Sequence, residues 1–175
     1  QAIAALSLGT ESVPAVYKIF GPGNQYVTAA KMYANRLGIA IDMPAGPSEV
    51  AVYADNTANP AYVASDLLSQ AEHGSDSQVI LISTSSAIME QTIVEINSQL
   101  NDLPRKDLAE KALSNSKFVL VKTTAEAIEL LNEYAAEHLI LACEDAELFA
   151  ENIRNAGSIF LGHYTPESAG DYASG

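Results

Sequence analysis

Three short stretches place proton-transferring or metal-binding side chains at suggestive spacings. In Ser69-Gln70-Ala71-Glu72-His73-Gly74, Gln70 and His73 are three apart and Asp66 lies four before Gln70, so on a helix they share a side. A neutral imidazole is the commonest metal ligand, and an amide oxygen can join it on a borderline metal. In Ala136-Glu137-His138-Leu139, adjacent Glu and His stand at a predicted helix-to-strand junction. His suits proton shuttling near neutral pH, and a partly desolvated Glu can activate water. In Thr165–Gly175, Asp171 sits among Gly, Ser and Ala, where backbone can approach a ligand and a carboxylate could complete a metal site. Gly21-Pro22-Gly23-Asn24, between a predicted strand and helix, is a candidate anion-binding turn, although it is not GxGxxG. Ser48 closes the Pro- and Gly-rich turn 43–48.

Taken singly, each stretch also has a structural explanation. His73 can meet the negative end of a helix dipole. His138 can be half-buried beside a solvated Glu137. Asp171 can form an Asx turn, Asn24 can cap a helix, and the Ser48 hydroxyl can simply close its turn.

The elements that must position these residues follow from apolar periodicity. Short strands are expected at 16–20, 39–41, 49–54, 78–83, 118–121, 139–142 and 158–161. Helices are expected at 2–8, 24–37, 60–72, 86–100, 104–113, 123–136 and 146–155, and 162–175 reads as irregular. Alternation with short connections predicts an α/β, Rossmann-like, mainly parallel sheet with helices on both faces. Ligands in such sheets sit beyond the carboxyl ends of the strands. The boundary is expected in the turn at 43–48, giving a lobe over 1–45 and a second lobe over 46–175. With Gln1 first and no closing element after Ala173-Ser174-Gly175, the sequence reads as truncated at both ends.

Composition narrows the partners. The 175 residues carry a net charge of −13, which opposes nucleic acid and anionic lipid. Residues 1–45 hold three bases against two acids, so the remainder carries −14 and the first stretch better suits an anionic ligand. No apolar run approaches the ~20 residues of a membrane span. Cys143 is the single cysteine, which excludes a disulfide framework and makes the cytoplasm the expected compartment.

The order of the motifs is more specific than any one of them. Phe20-Gly-Pro-Gly-Asn24, Asp42-Met-Pro-Ala-Gly-Pro-Ser-Glu49, Asp66-Leu-Leu-Ser-Gln-Ala-Glu-His-Gly74, Glu137-His-Leu139 and Gly170-Asp171-Tyr172 occur in that order. Together they closely resemble the histidinol dehydrogenase family across essentially the whole chain. The resemblance implies NAD-dependent oxidation of L-histidinol through histidinaldehyde to L-histidine, with Zn2+ holding the substrate. It further implies Gln70, His73 and Asp171 as zinc ligands, His138 as general base and Glu137 as the group that activates water. Ser48, Gln70, His73, His138 and Asp171 are implied as substrate contacts, and Gln1 and Asn24 as NAD contacts. The family pattern implies a homodimer and a longer chain, of which this is an internal or C-terminal-half fragment lacking one zinc-binding His, and therefore inactive alone. Two other readings stay open: a non-catalytic Rossmann-like binding or oligomerisation module, and an aldehyde dehydrogenase, which would need Cys143 as nucleophile.

Overall fold

The structure, a computed structural model, describes residues 1–42 and 49–172. The chain divides into two compact units, Gln1–Gly46 and Pro47–Gly175.

In the first unit, α1 (Ala2–Leu8) precedes β1 (Lys18–Ile19), α2 (Gln25–Arg36) and β2 (Ala40–Ile41). β1 and β2 pair in parallel with Lys18 level with Ala40 and Ile19 with Ile41. Asn24 caps α2: its side-chain Oδ1 accepts from the Tyr26 and Val27 amides at 3.1 and 3.2 Å. Many of the unit's large apolar side chains face outward, Tyr17 at 95% and Tyr26 at 75% exposure among them.

The second unit is a five-stranded, wholly parallel sheet in the order β5-β4-β3-β6-β7. Its strands are β3 (Glu49–Ala54), β4 (Gln78–Ser83), β5 (Lys117–Leu120), β6 (His138–Ala142) and β7 (Ser158–Leu161). The central strands are apolar and buried on both faces, as a parallel sheet flanked by helices requires. One face is covered by α3 (Pro60–Ala71), α4 (Ser86–Gln99) and α5 (Lys106–Ser114), through Leu67, Leu68, Ile88, Ile96 and Ala109 against Val50, Val52 and Ile140. The other is covered by α6 (Thr124–Tyr134) and α7 (Ala146–Ala150), through Leu131 and Phe149 against Ala51, Tyr53, Leu139 and Leu141.

Local chemistry sets the ends. Asn59 caps α3, with Pro60 opening the helix, and Thr123 caps α6. Two expectations change. The helix beginning at Ala146 stops at Ala150 rather than 155, because Asn132 of α6 captures the next segment: its Oδ1 accepts from the Arg154 amide at 2.6 Å and its Nδ2 donates to the Asn152 carbonyl at 3.0 Å. The segment after β7 is not wholly irregular, since α8 spans Ser168–Tyr172. A helix this short has too few turns to display an apolar period.

Candidate active site

The helix α3 carries Gln70 in its last turn. Gln70 is 2% exposed, and its Nε2 is buried with no hydrogen-bond partner. An unpaired buried amide costs stability, and native proteins retain such groups where a ligand satisfies them. His73 is placed differently from its expected position. α3 ends at Ala71, so His73 lies in the following turn, exposed, with its amide donating to the Gln70 carbonyl at 3.2 Å. That i→i+3 bond continues the helix by one tighter turn, and both residues occupy the same end of α3.

His138 opens β6, level with Val50 of β3 and Ser158 of β7. Its ring shares the α3-covered face with Phe160, the two centroids 6.1 Å apart. Its Nδ1 is buried and faces Glu167 Oε1 at 3.8 Å. Glu167, only 6% exposed, is carried there by the connection from β7 into α8. α8 packs on the same face, where a Cβ at Gly170 would fall 2.9 Å from the Phe160 ring. A carboxylate against Nδ1 orients an imidazole and leaves Nε2 to handle protons.

Asp66, one helical turn before Gln70, belongs to this cluster. Burial, with the Glu167 charge adding to it, pushes its carboxyl up to about 7; the Glu167 backbone amide partly offsets the rise. Glu137 is exposed at the bend before β6. It stands beside Glu49 of β3, whose carboxyl is raised by burial and by the Glu137 charge. The approach of chain to chain is close here. A Cβ at Gly157 would lie 2.5 Å from the Glu137 carbonyl oxygen, and Ser158 donates its amide to that oxygen at 2.9 Å.

Of the expected site residues, the structure gathers Gln70, His73, Glu137 and His138 at one end of the second unit. It is the amino end of the strands, not the carboxyl end. α3 returns from the top of β3 to the bottom of β4, so its last turn lies level with the start of β6. At the carboxyl end, Asp55 bridges the loops after β3 and β6, accepting the Glu144 amide at 3.1 Å and the Thr57 amide at 2.8 Å, and it lines a cavity there with Tyr53, Cys143 and Asp145. Burial, with the charges of Asp55 and Asp145 adding to it, pushes the Cys143 thiol at that end up to about 12, the opposite of what a nucleophile needs. Asp171 belongs to α8, which brings its backbone to the His138 face; its side chain, like all of Ser48, lies outside the described residues. Gln1 and Asn24 belong to the first unit. Gln1 immediately precedes α1, and Asn24 commits its Oδ1 to the α2 cap, so any cofactor contact from Asn24 would come from its Nδ2 donors.

Among the described residues, no three His, Cys, Asp or Glu side chains form a metal-binding group. Gln70 would ligate a borderline metal through its amide oxygen; the atom left without a partner is the Nε2 donor, which suits a hydrogen-bond acceptor rather than a cation.

A family model described as histidinol dehydrogenase matches residues 1–175. The chain belongs to the histidinol dehydrogenase family. The histidinol dehydrogenase of Bacteroides thetaiotaomicron is 63% identical over 175 residues, and that of Bacteroides fragilis strain YCH46 is 61% identical, each match covering all of this chain and 41% of the relative. The crystal structure of histidinol dehydrogenase from Elizabethkingia anophelis matches with a TM-score of 0.96 at 57% identity, over all of this chain and 40% of that one. The chain thus spans about 41% of the length of the curated relatives it matches. Gamma-glutamyl phosphate reductase from Thermotoga maritima, at 12% identity and a TM-score of 0.58 over 90% of this chain and 44% of that one, shares the α/β fold.

For a chain of the histidinol dehydrogenase family, the groups that motif order does not single out are Glu167 and Gly157. Glu167 meets His138 only through the β7–α8 connection, and Gly157 meets Glu137 only through strand pairing. The raised carboxyl of Asp66 is equally invisible in the sequence, because it depends on burial in the folded chain and, after that, on the charge of the distant Glu167.

Proposed function

We propose that the protein containing this chain oxidises L-histidinol to L-histidine through histidinaldehyde, with NAD+ as oxidant and a zinc ion in the site. A relative from Photorhabdus laumondii, 54% identical over 177 residues, is named as a putative histidine biosynthesis bifunctional protein, in keeping with that reading. The observation that carries it is the His138 imidazole, one residue after an exposed Glu137, with the buried Glu167 carboxylate facing its Nδ1 at 3.8 Å, close enough to pair with an imidazolium though not hydrogen-bonded to the ring.

Both half-reactions need a base. In the first, His138 takes the hydroxyl proton at Nε2 as the carbinol hydrogen departs as hydride, and the Glu167 carboxylate steadies the imidazolium that results. The aldehyde must be hydrated before a second hydride can leave. Glu137 takes a proton from water at the exposed bend, where solvent has access, as the hydroxide adds to the aldehyde; the protonated His138 gives its proton to the resulting oxyanion, and, neutral again, accepts a hydroxyl proton of the hydrate as the second hydride leaves. NAD+ supplies the acceptor for two hydrides, and we assign its contacts to Gln1 and Asn24. Zinc, when bound, supplies a grip on the substrate nitrogens that fixes the reacting carbon; Gln70, His73 and Asp171 would hold it. Ser48 is assigned to the substrate. In this reading the lobe over 1–45 serves the cofactor and 46–175 the metal and catalysis. We further assign the protein to the cytoplasm, consistent with its one buried, unpaired cysteine, and to a homodimer, consistent with the outward-facing aromatic residues of the first unit.

The test is the full-length protein with L-histidinol, NAD+ and zinc, followed by NADH absorbance. His138→Asn should lower kcat for both oxidations by at least ~100-fold. Glu137→Gln should spare histidinol oxidation and slow histidinaldehyde oxidation by a similar factor. No NADH from the parent protein, or unimpaired aldehyde oxidation in both variants, would overturn the assignment.

A further inference from the structure

The Gly21–Asn24 turn is held by more than its strand. β1 and β2 are two residues each, and their ladder closes with the Asp42 amide donating to the Ile19 carbonyl at 3.3 Å. Past that point the Asn24 end of the turn is tied into α2 by the Thr28 amide, which donates to the Asn24 carbonyl at 3.0 Å, and two side chains hold the Gly21 end. Asp42 Oδ2 accepts the Gly21 amide at 2.8 Å, Lys31 Nζ donates to the Gly21 carbonyl, and Lys31 Nζ pairs with Asp42 Oδ1 at 2.6 Å. Both polar groups of Gly21 are therefore tied to one ion pair. Gly21 has φ +140°, a conformation that glycine tolerates and that needs outside support to persist.

Lys31 is 5% exposed and sits on α2, the helix that the turn feeds. The pair thus joins the end of β2, the turn and the helix. Burying an ammonium is unfavourable, and an apolar side chain packs a helix against a strand at lower cost. What an apolar residue cannot do is hold a carbonyl and an amide of the same residue in fixed directions. Nor is Lys31 free to serve as a phosphate ligand, because Asp42 already neutralises it.

We infer that Lys31 and Asp42 are positioning residues for the dinucleotide: they lock the Gly21–Asn24 turn so that Asn24 and the first turn of α2 meet the cofactor in one geometry. The inference rests on the assignment of Asn24 to NAD made above. Neither residue touches substrate or the reacting atoms, so the signature is a split between the two substrates.

In the full-length protein, Asp42→Asn and Lys31→Met should each raise the KM for NAD+ and the Kd for NADH by tenfold or more. The KM for L-histidinol, and kcat at saturating NAD+, should stay within about threefold. Lys31→Arg should recover most of the loss. The double variant should be no worse than the worse single one, because either change opens the same pair. Asp42→Asn keeps size and an acceptor for Gly21, which guards against a simple folding failure. An unchanged KM for NAD+ in Asp42→Asn would overturn the inference. So would a joint fall of kcat, both affinities and the thermal midpoint, which would make the pair a fold stabiliser only. Asn24→Asp, which retains the cap but loses the Nδ2 donors, separates the two levels. If it weakens NAD+ while the pair variants do not, only the positioning role fails. If it leaves NAD+ binding intact, the cofactor assignment fails and the inference with it.

Discussion

At the residue scale, the site depends on polar groups withdrawn from water with incomplete partners. Asp66 shows what this does to stability. Its carboxyl rises from 3.8 to about 7, through burial first and the Glu167 charge second. The native state therefore holds a proton that the unfolded chain releases near pH 4. Stability falls as pH rises from about 4 to about 7 and then levels, because the unfolded state binds fewer protons across that window. Asp66→Asn removes the falling term. In the metal-free protein, the variant should match the parent at pH 4 and exceed it at pH 8 by on the order of 2 kcal/mol, after allowance for partial exposure. Urea unfolding at the two pH values measures this, and a constant difference between the proteins would contradict it. The candidate ligands Gln70 and His73 were legible from residue type and spacing. The burial of Gln70 and Asp66 was not, nor was the Glu167 charge that faces Asp66 from far along the chain, because both arise only when distant segments pack together.

At the element scale, the central strands were legible for a physical reason. A strand buried on both faces reads as a continuous apolar run, as in Val79-Ile80-Leu81-Ile82 and Leu139-Ile140-Leu141. Which end of the sheet carries the candidate residues was not legible. The general rule favours carboxyl ends, whereas the candidates in the last turn of α3 and at the start of β6 lie at the amino end. The precision of the bend before β6 rests on Gly157, whose missing side chain lets β7 approach the Glu137 backbone. Gly157→Ala would place a Cβ 2.5 Å from the Glu137 carbonyl oxygen, so the bend must shift. Backbone, unlike a flexible side chain, yields only by moving both neighbours. We expect Gly157→Ala to lower stability by about 1–3 kcal/mol, as overpacking does, and to slow aldehyde oxidation more than histidinol oxidation, because Glu137 is the group displaced. Equal slowing of both steps in a folded variant would argue that Glu137 has no separate role in hydration.

At the scale of the whole molecule, the candidate residues are distributed: Gln1 and Asn24 in one compact unit, Gln70, His73, Glu137, His138 and Asp171 in the other. The chain spans 41% of the length of its curated relatives, and the first unit displays Tyr17 and Tyr26 to solvent at 95% and 75% exposure. Leu8, Phe20, Tyr33 and Leu37 of the same small unit are exposed as well. A metal held only by Gln70, His73 and Asp171 has an amide among three donors, and amide oxygen is a weak zinc ligand beside imidazole or thiolate. The 175-residue chain by itself should therefore bind zinc at least ~100-fold more weakly than the full-length protein, in line with the cost of losing supporting groups around a metal. It should also form no measurable NADH from L-histidinol. Competition with a chromophoric chelator gives the first quantity and absorbance of NADH the second. Turnover by the isolated chain within tenfold of the full-length rate would mean that every group needed for both oxidations lies within these residues.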